Sequence, residues 1–194
     1  MQNNDLTPKE SFEVINDVIS GAKARMSENG FIYLFWGWLI SLCALGQFVL
    51  LQTEYADISY YPYFLAIPGA IYTAIHEARK HRNEGSPNYT SNIMSAIWIT
   101  AGANMLIVGF LFSPVLQSSP VPHILIILAL ATVASGAALK FKPLIWGGIV
   151  CNLVGIAAIF IAYTYHPLFV ILGIVAADLI PGYILRNKSK KSYA

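Results

Sequence analysis

All twelve lysines and arginines of this chain stand in four short stretches: Lys9, Lys23 and Arg25; Arg79, Lys80 and Arg82; Lys140 and Lys142; and Arg186, Lys188, Lys190 and Lys191. Each gap between neighbouring stretches holds two long apolar segments, six in all, at 31–51, 61–75, 93–112, 121–139, 143–163 and 168–185. A bilayer core about 30 Å thick is crossed by roughly 20 apolar residues in a helix. Within lipid every backbone N–H and C=O must be bonded inside the chain, which leaves helices as the spanning element for such runs. Water is a poor solvent for the alternative. Only 11% of the residues are charged and the mean hydropathy is +0.58, against about 25% charged in a soluble domain, and the six segments carry no polar stripe. The expected fold is therefore all-α: a polytopic membrane helical bundle of six transmembrane helices, arranged as three hairpins.

The same charges orient it. The intervening loops at 52–60, 113–120 and 164–167 contain no lysine or arginine, so the positive-inside rule places both termini in the cytoplasm. The second segment is the shortest and leans on Tyr60, Tyr61 and Tyr63 as an interfacial belt. The chain divides into a cytoplasmic amphipathic helix at 1–30, the six-helix membrane domain at 31–185 and a basic tail at 186–194. In the first part, Thr7, Pro8 and Glu10 form a capping box with a first-turn proline. Phe12, Ile15, Ile19, Ala22 and Met26 recur at helical spacing behind it, and Gly30 offers a stop. Glu10, Glu13 and Asp17 disfavour docking on anionic headgroups. This helix is expected to pack and orient the bundle, or to receive a cytoplasmic partner. The first thirty residues show no apolar core behind a basic start, so no cleavable signal peptide is expected.

A faint internal repeat runs through the spans. The odd ones share an early tryptophan, Trp36, Trp98 and Trp146, and Asn104 and Asn152 each stand six residues beyond theirs. Spans two and six share Ile-Pro-Gly, so helix breaks are expected at Pro68–Gly69 and Pro181–Gly182. Repeats of this kind occur in transport folds. The small residues of span four, from Ala129 to Ala138, form a close-packing surface.

Asp178 is the residue that most needs an explanation. Twelve ångströms, at about 1.5 Å per residue, separate it from Arg186, and a carboxylate at such depth needs a donor or a proton. Pro181 has no N–H for the carbonyl of Ala177, which frees an acceptor that cannot help an anion. The indoles of Trp36, Trp98 or Trp146, or a snorkelling Lys140 or Lys142, are the expected donors, closing the cytoplasmic end as a polar clasp. A proton or cation site is the competing reading. Asn104, Asn152, Gln47 and Thr100 are expected as interhelical hydrogen bonders, or, for the two asparagines, as walls of a cavity shared with Asp178. His76 and His81 flank the end of span two beside Glu77, and His123 and His166 lie at the outer ends of spans four and six, where they could meet and, with support from neighbours, hold a metal or haem, although interfacial histidines are usually just solvated. Neither pair has metal-site spacing, Cys43 and Cys151 suggest no disulfide, and no phosphate loop or hydrolase motif is present. The sequon Asn88-Tyr89-Thr90 falls on the cytoplasmic side, so neither a metal, a cofactor nor a glycan is expected.

FWGWL at the first span, LKFKPLIWGGIV from Leu139 and LIPGYIL from Leu179 together resemble a set of small six-span inner-membrane proteins of Bacteroidota-type bacteria. The likeness covers most of the chain and implies a bacterial inner-membrane location without implying an activity. The three-hairpin layout is also loosely similar to the acid-resistance membrane family HdeD, with no functional residue matched between them. The thin polar inventory and short loops point to a non-enzymatic structural or regulatory membrane component, forming homo-oligomers, with no nucleic-acid partner. The alternative is a small-solute, proton or cation transporter or channel built on Asp178, Asn104 and Asn152. An intramembrane enzyme would need Asp178 paired with Glu77 or His76.

Overall fold

The computed structural model describes residues 30–84, 89–112 and 119–192, so the amphipathic helix and the sequon's Asn88 lie outside the described residues. Those residues are mainly helical, with turns between the helices and no strand among them. Seven α-helices follow one another: α1 (Phe31–Leu50), α2 (Ala66–Glu84), α3 (Tyr89–Leu106), α4 (Val121–Ala138), α5 (Lys142–Ala158), α6 (His166–Ile174) and α7 (Ile180–Ser192). A 3₁₀ segment, Tyr61–Leu65, leads into α2, and π segments continue α3 (Ile107–Phe112) and join α6 to α7 (Val175–Leu179). Four stretches, Phe31–Leu50, Asn92–Phe110, Val121–Ala138 and Tyr163–Lys188, are long and apolar enough to cross a membrane. Lys142–Ala158 is apolar but shorter.

The side chains of α1 divide into two faces. Its inner face carries Tyr33, Leu34, Gly37, Ser41, Ala44 and Gln47, all buried, while Trp38, Leu42, Leu45 and Val49 point outward at helical spacing. Beyond Leu34 the inner face is small or polar and the outer face large and apolar, the reverse of a helix in water and compatible with a helix whose outer face meets lipid. Gly30 starts the helix in a left-handed conformation, φ 73°. A Cβ there would collide with the carbonyl of Gly182, so glycine serves both the conformation and the contact with α7.

The tightest pair is the α4–α5 hairpin. Its turn is a Schellman cap: Phe141 N–H donates to Gly136 O at 2.8 Å and Lys140 N–H to Ala137 O at 3.0 Å. Lys140 adopts φ 50° to make it, and Pro143 then falls in the first turn of α5 where its missing N–H costs nothing. The small residues of α4 face α5. A Cβ on Gly148 would stand 2.9 Å from Ala129 O, and one on Gly155 3.1 Å from Leu125 Cβ. The last helix, α6 through α7, lies against α1, α4 and α5 and closes two apolar clusters. One gathers Leu125, Cys151, Val170, Ile174 and Ala177 around Ala44; the other, toward the basic end, gathers Leu139, Phe141, Leu144 and Leu185 around Tyr33. Helices α2 and α3 flank this core. Gly69 of α2 rests on Leu39 of α1, and Trp98 of α3 meets Tyr33 edge-on at 6.1 Å. Large apolar side chains of both, among them Ile67, Ile71, Ile99 and Phe110, remain exposed.

The two Ile-Pro-Gly sites do not break their helices. Pro68 sits in the first turn of α2, just after the 3₁₀ segment, and Pro181 in the first turn of α7, just after the π segment. In both places the chain changes its hydrogen-bond spacing before the proline, and the helix continues beyond it. A proline that follows such a change needs no donor of its own where the α-helix begins.

Candidate functional site

Asp178 lies in the widened turn. Ile180 N–H donates to Val175 O, five residues back, so the next acceptor in that spacing is Ala176, opposite Pro181, which has no N–H to give. The carbonyl opposite the proline is thus that of Ala176 rather than Ala177. It faces Gly147 of α5, where a Cβ would collide with it and stand 3.1 Å from Pro181 Cγ. Glycine at 147 lets the α5 backbone come close enough for a Cα–H contact to the otherwise undonated oxygen. On the far side of the same turn, Gly37 of α1 admits Asp178 and Leu179: a Cβ at 37 would be 3.4 Å from Asp178 Cβ and 2.6 Å from Leu179 Cδ2. Two glycines on two helices therefore clasp the turn that carries the acid.

The Asp178 side chain is 3% exposed. Among the described residues no hydrogen bond or ion pair reaches its carboxylate, and His76–Glu77 is the ion pair that they form. The hydroxyl of Ser41, one turn above Gly37 on α1, is buried without a hydrogen bond, as is that of Ser135 on α4. Cys151 on α5 lies near Asp178, and its thiol points at Leu125 O, 3.6 Å away. Asp178 is thus a lone acid in a small-residue seam, with the Cys151 thiol near it and no cation beside it among the described residues.

The expected indole clasp does not form. Trp36 lies against Gly69, its ring edge 3.7 Å from the position of a Cβ there. Trp98 is edge-on to Tyr33 between the two apolar clusters, and Trp146 is 65% exposed on the outer face of α5. Lys140 and Lys142 are exposed. Gly147 and Gly148 must both turn inward, and this sets the rotation of α5 so that Trp146 turns outward. Nor do the asparagines join the acid. Exposed Asn104 donates from Nδ2 to Thr100 O of its own helix at 2.8 Å, and Asn152 is half-buried with no hydrogen bond among the described residues.

Other polar links hold the bundle instead. Tyr63 O–H donates to Gln47 Oε1 at 3.0 Å and Cys43 Sγ–H to Pro62 O at 3.0 Å, tying the 3₁₀ segment to the outer half of α1. Trp38 Nε1–H donates to the Tyr183 hydroxyl at 3.2 Å, joining α1 to α7 on the exterior. Of these partners Gln47 was expected as an interhelical hydrogen bonder and Tyr63 as part of an interfacial belt; the Trp-x-Trp pair at 36 and 38 was the available signal for Trp38. His166 is buried, with Nε2 3.0 Å from Ile161 O where the last helix begins. His123 is exposed, and no interaction joins the two. His76 Nδ1 is 3.4 Å from Glu77 Oε1 without hydrogen-bond geometry. Its ring packs on Phe31 and Tyr72, with centroids 5.2 and 6.2 Å away. No three His, Cys, Asp or Glu side chains among the described residues are placed to hold a metal ion.

Comparison with protein-family models, with curated proteins and with solved structures gives no match.

Proposed function

We propose that the chain is an integral protein of a bacterial inner membrane that crosses it six times with both termini cytoplasmic, and that it acts as a non-enzymatic structural or regulatory component. The two spans beyond the four long ones have adequate reach. The 3₁₀ segment Tyr61–Leu65 and the first ten residues of α2 together rise about 25 Å, and the seventeen residues of α5 rise about 25 Å, near the ~30 Å of an average hydrocarbon core. The observation that carries the non-enzymatic reading is the isolation of Asp178: the acid–base pair that an intramembrane enzyme would build on it needs a second titratable group within hydrogen-bond reach. The described residues bring neither Glu77 nor His76 to it.

One observation favours a second reading, passage or storage of a proton or small cation. A carboxylate that is 3% exposed and has no donor is costly in lipid unless something neutralises it. Flux measurements on reconstituted vesicles separate the two. A proton or cation flux present in wild-type protein and abolished in Asp178→Asn supports transport; the absence of flux in both, with intact folding, supports the structural role.

A further inference from the structure

We propose that the outer seam between α1 and α7 binds an anionic phospholipid, with Tyr183 and Arg186 holding its phosphate. The site rests on the orientation given above, with Arg186 at the cytoplasmic face. Trp38 Nε1–H donates to the Tyr183 hydroxyl at 3.2 Å, yet both rings stand largely outside the fold, 50% and 45% exposed. A phenol that accepts one hydrogen bond still has its own hydrogen to give. Hydrocarbon offers no acceptor for it, and the oxygens available to an outward-facing group at this depth are those of lipid phosphates and esters.

Arg186 follows three residues later on the same side of α7, about 4.5 Å nearer the cytoplasm. It is exposed and has no acidic partner among the described residues. No aspartate or glutamate occurs between Leu179 and Ala194, so every charged side chain that α7 itself carries is positive. A guanidinium with its forked donors and a phenolic O–H one turn deeper match a phosphodiester with its ester oxygens beneath it. Above them, exposed Leu42 and Leu45 on α1 and Ile180 on α7 give the acyl chains an apolar track along the seam. Charge complementarity selects an anionic headgroup, since a zwitterionic one brings its own ammonium to the arginine.

Native mass spectrometry of the full chain, released from micelles with phosphatidylglycerol or phosphatidylcholine of identical acyl chains, tests this. Wild-type protein should retain phosphatidylglycerol preferentially, and Tyr183→Phe and Arg186→Gln should each weaken that retention about tenfold, the loss expected for a hydrogen bond to a charged group. Lys142→Gln, at the opposite hairpin, should leave it unchanged. Equal retention of the two lipids, or variants that bind phosphatidylglycerol like wild type, overturns the site. So does a pair of variants that dissociates an oligomer while keeping the lipid, because the seam is then a contact between copies. Retention of neither lipid by wild type overturns the site as well, whereas a chain that stays soluble without detergent contradicts the membrane reading itself, a distinct failure. Tyr183→Phe removes one oxygen from an outward ring, so it decides the matter even where Arg186→Gln folds poorly.

Discussion

Replacing Gly147 by alanine adds one carbon where α5 meets the last helix. That carbon would sit 3.1 Å from the carbonyl carbon of Ala176 and 3.1 Å from Pro181 Cγ, and closer still to Ala176 O. These neighbours are backbone and a proline ring, so none can rotate away. One helix must shift. Overpacking of this kind costs about 1–3 kcal/mol, with backbone neighbours at the upper end, and the better helix propensity of alanine returns about 0.5–1 kcal/mol. The net loss is about 2 kcal/mol. Gly102 on α3 is the control, because a Cβ there meets nothing within 4 Å. Gly102→Ala should gain about 0.5–1 kcal/mol. The variants should therefore differ by about 3 kcal/mol, or ~6–12 °C in apparent Tm for a chain of this size. Thermal unfolding in detergent micelles measures the gap. Melting temperatures within ~2 °C of each other would refute the close approach of α5 to the π turn.

Asp178→Asn should leave stability unchanged or raise it, because no donor is lost, whereas an acid with a buried cationic partner would lose about 3–5 kcal/mol; the same unfolding assay reads the difference. Tyr63→Phe removes the bond to Gln47 Oε1 and should cost about 0.6–1 kcal/mol, seen as a lower melting temperature without loss of the folded species. Cys43 and Cys151 are both buried and unbridged, so a maleimide should modify neither in native micelles and both after unfolding, as followed by intact mass.

Charge and hydropathy carried the coarse fold because those terms are set by solvent and act over whole segments. The confinement of cations to four stretches, and the small residues of span four that meet α5, are of this kind. Rotation of each helix about its axis is a different quantity. It is decided by which residues tolerate backbone contact, so Gly147 and Gly148 turned Trp146 out to the exterior. The shared six-residue offset of Asn104 and Asn152 from a tryptophan likewise gave no common orientation. Pro181 announced a local disturbance, but not whether the helix would break or widen; the π spacing depends on α5 being close enough to cover Ala176 O. Tyr63–Gln47 and Trp38–Tyr183 join residues from different helices, and no spacing within one helix encodes such pairs.

The threading of the chain is the claim on which the depth of Asp178 and the lipid seam both depend. Single cysteines at Asp57, in the first loop, and at Ser192, in the basic tail, can be exposed to a membrane-impermeant maleimide in intact spheroplasts and again after permeabilisation, with buried Cys43 and Cys151 as the unreactive background. Asp57→Cys should label in intact spheroplasts and Ser192→Cys only once the membrane is opened. Labelling of Ser192→Cys from outside, with Asp57→Cys protected, would invert the arrangement and contradict the account.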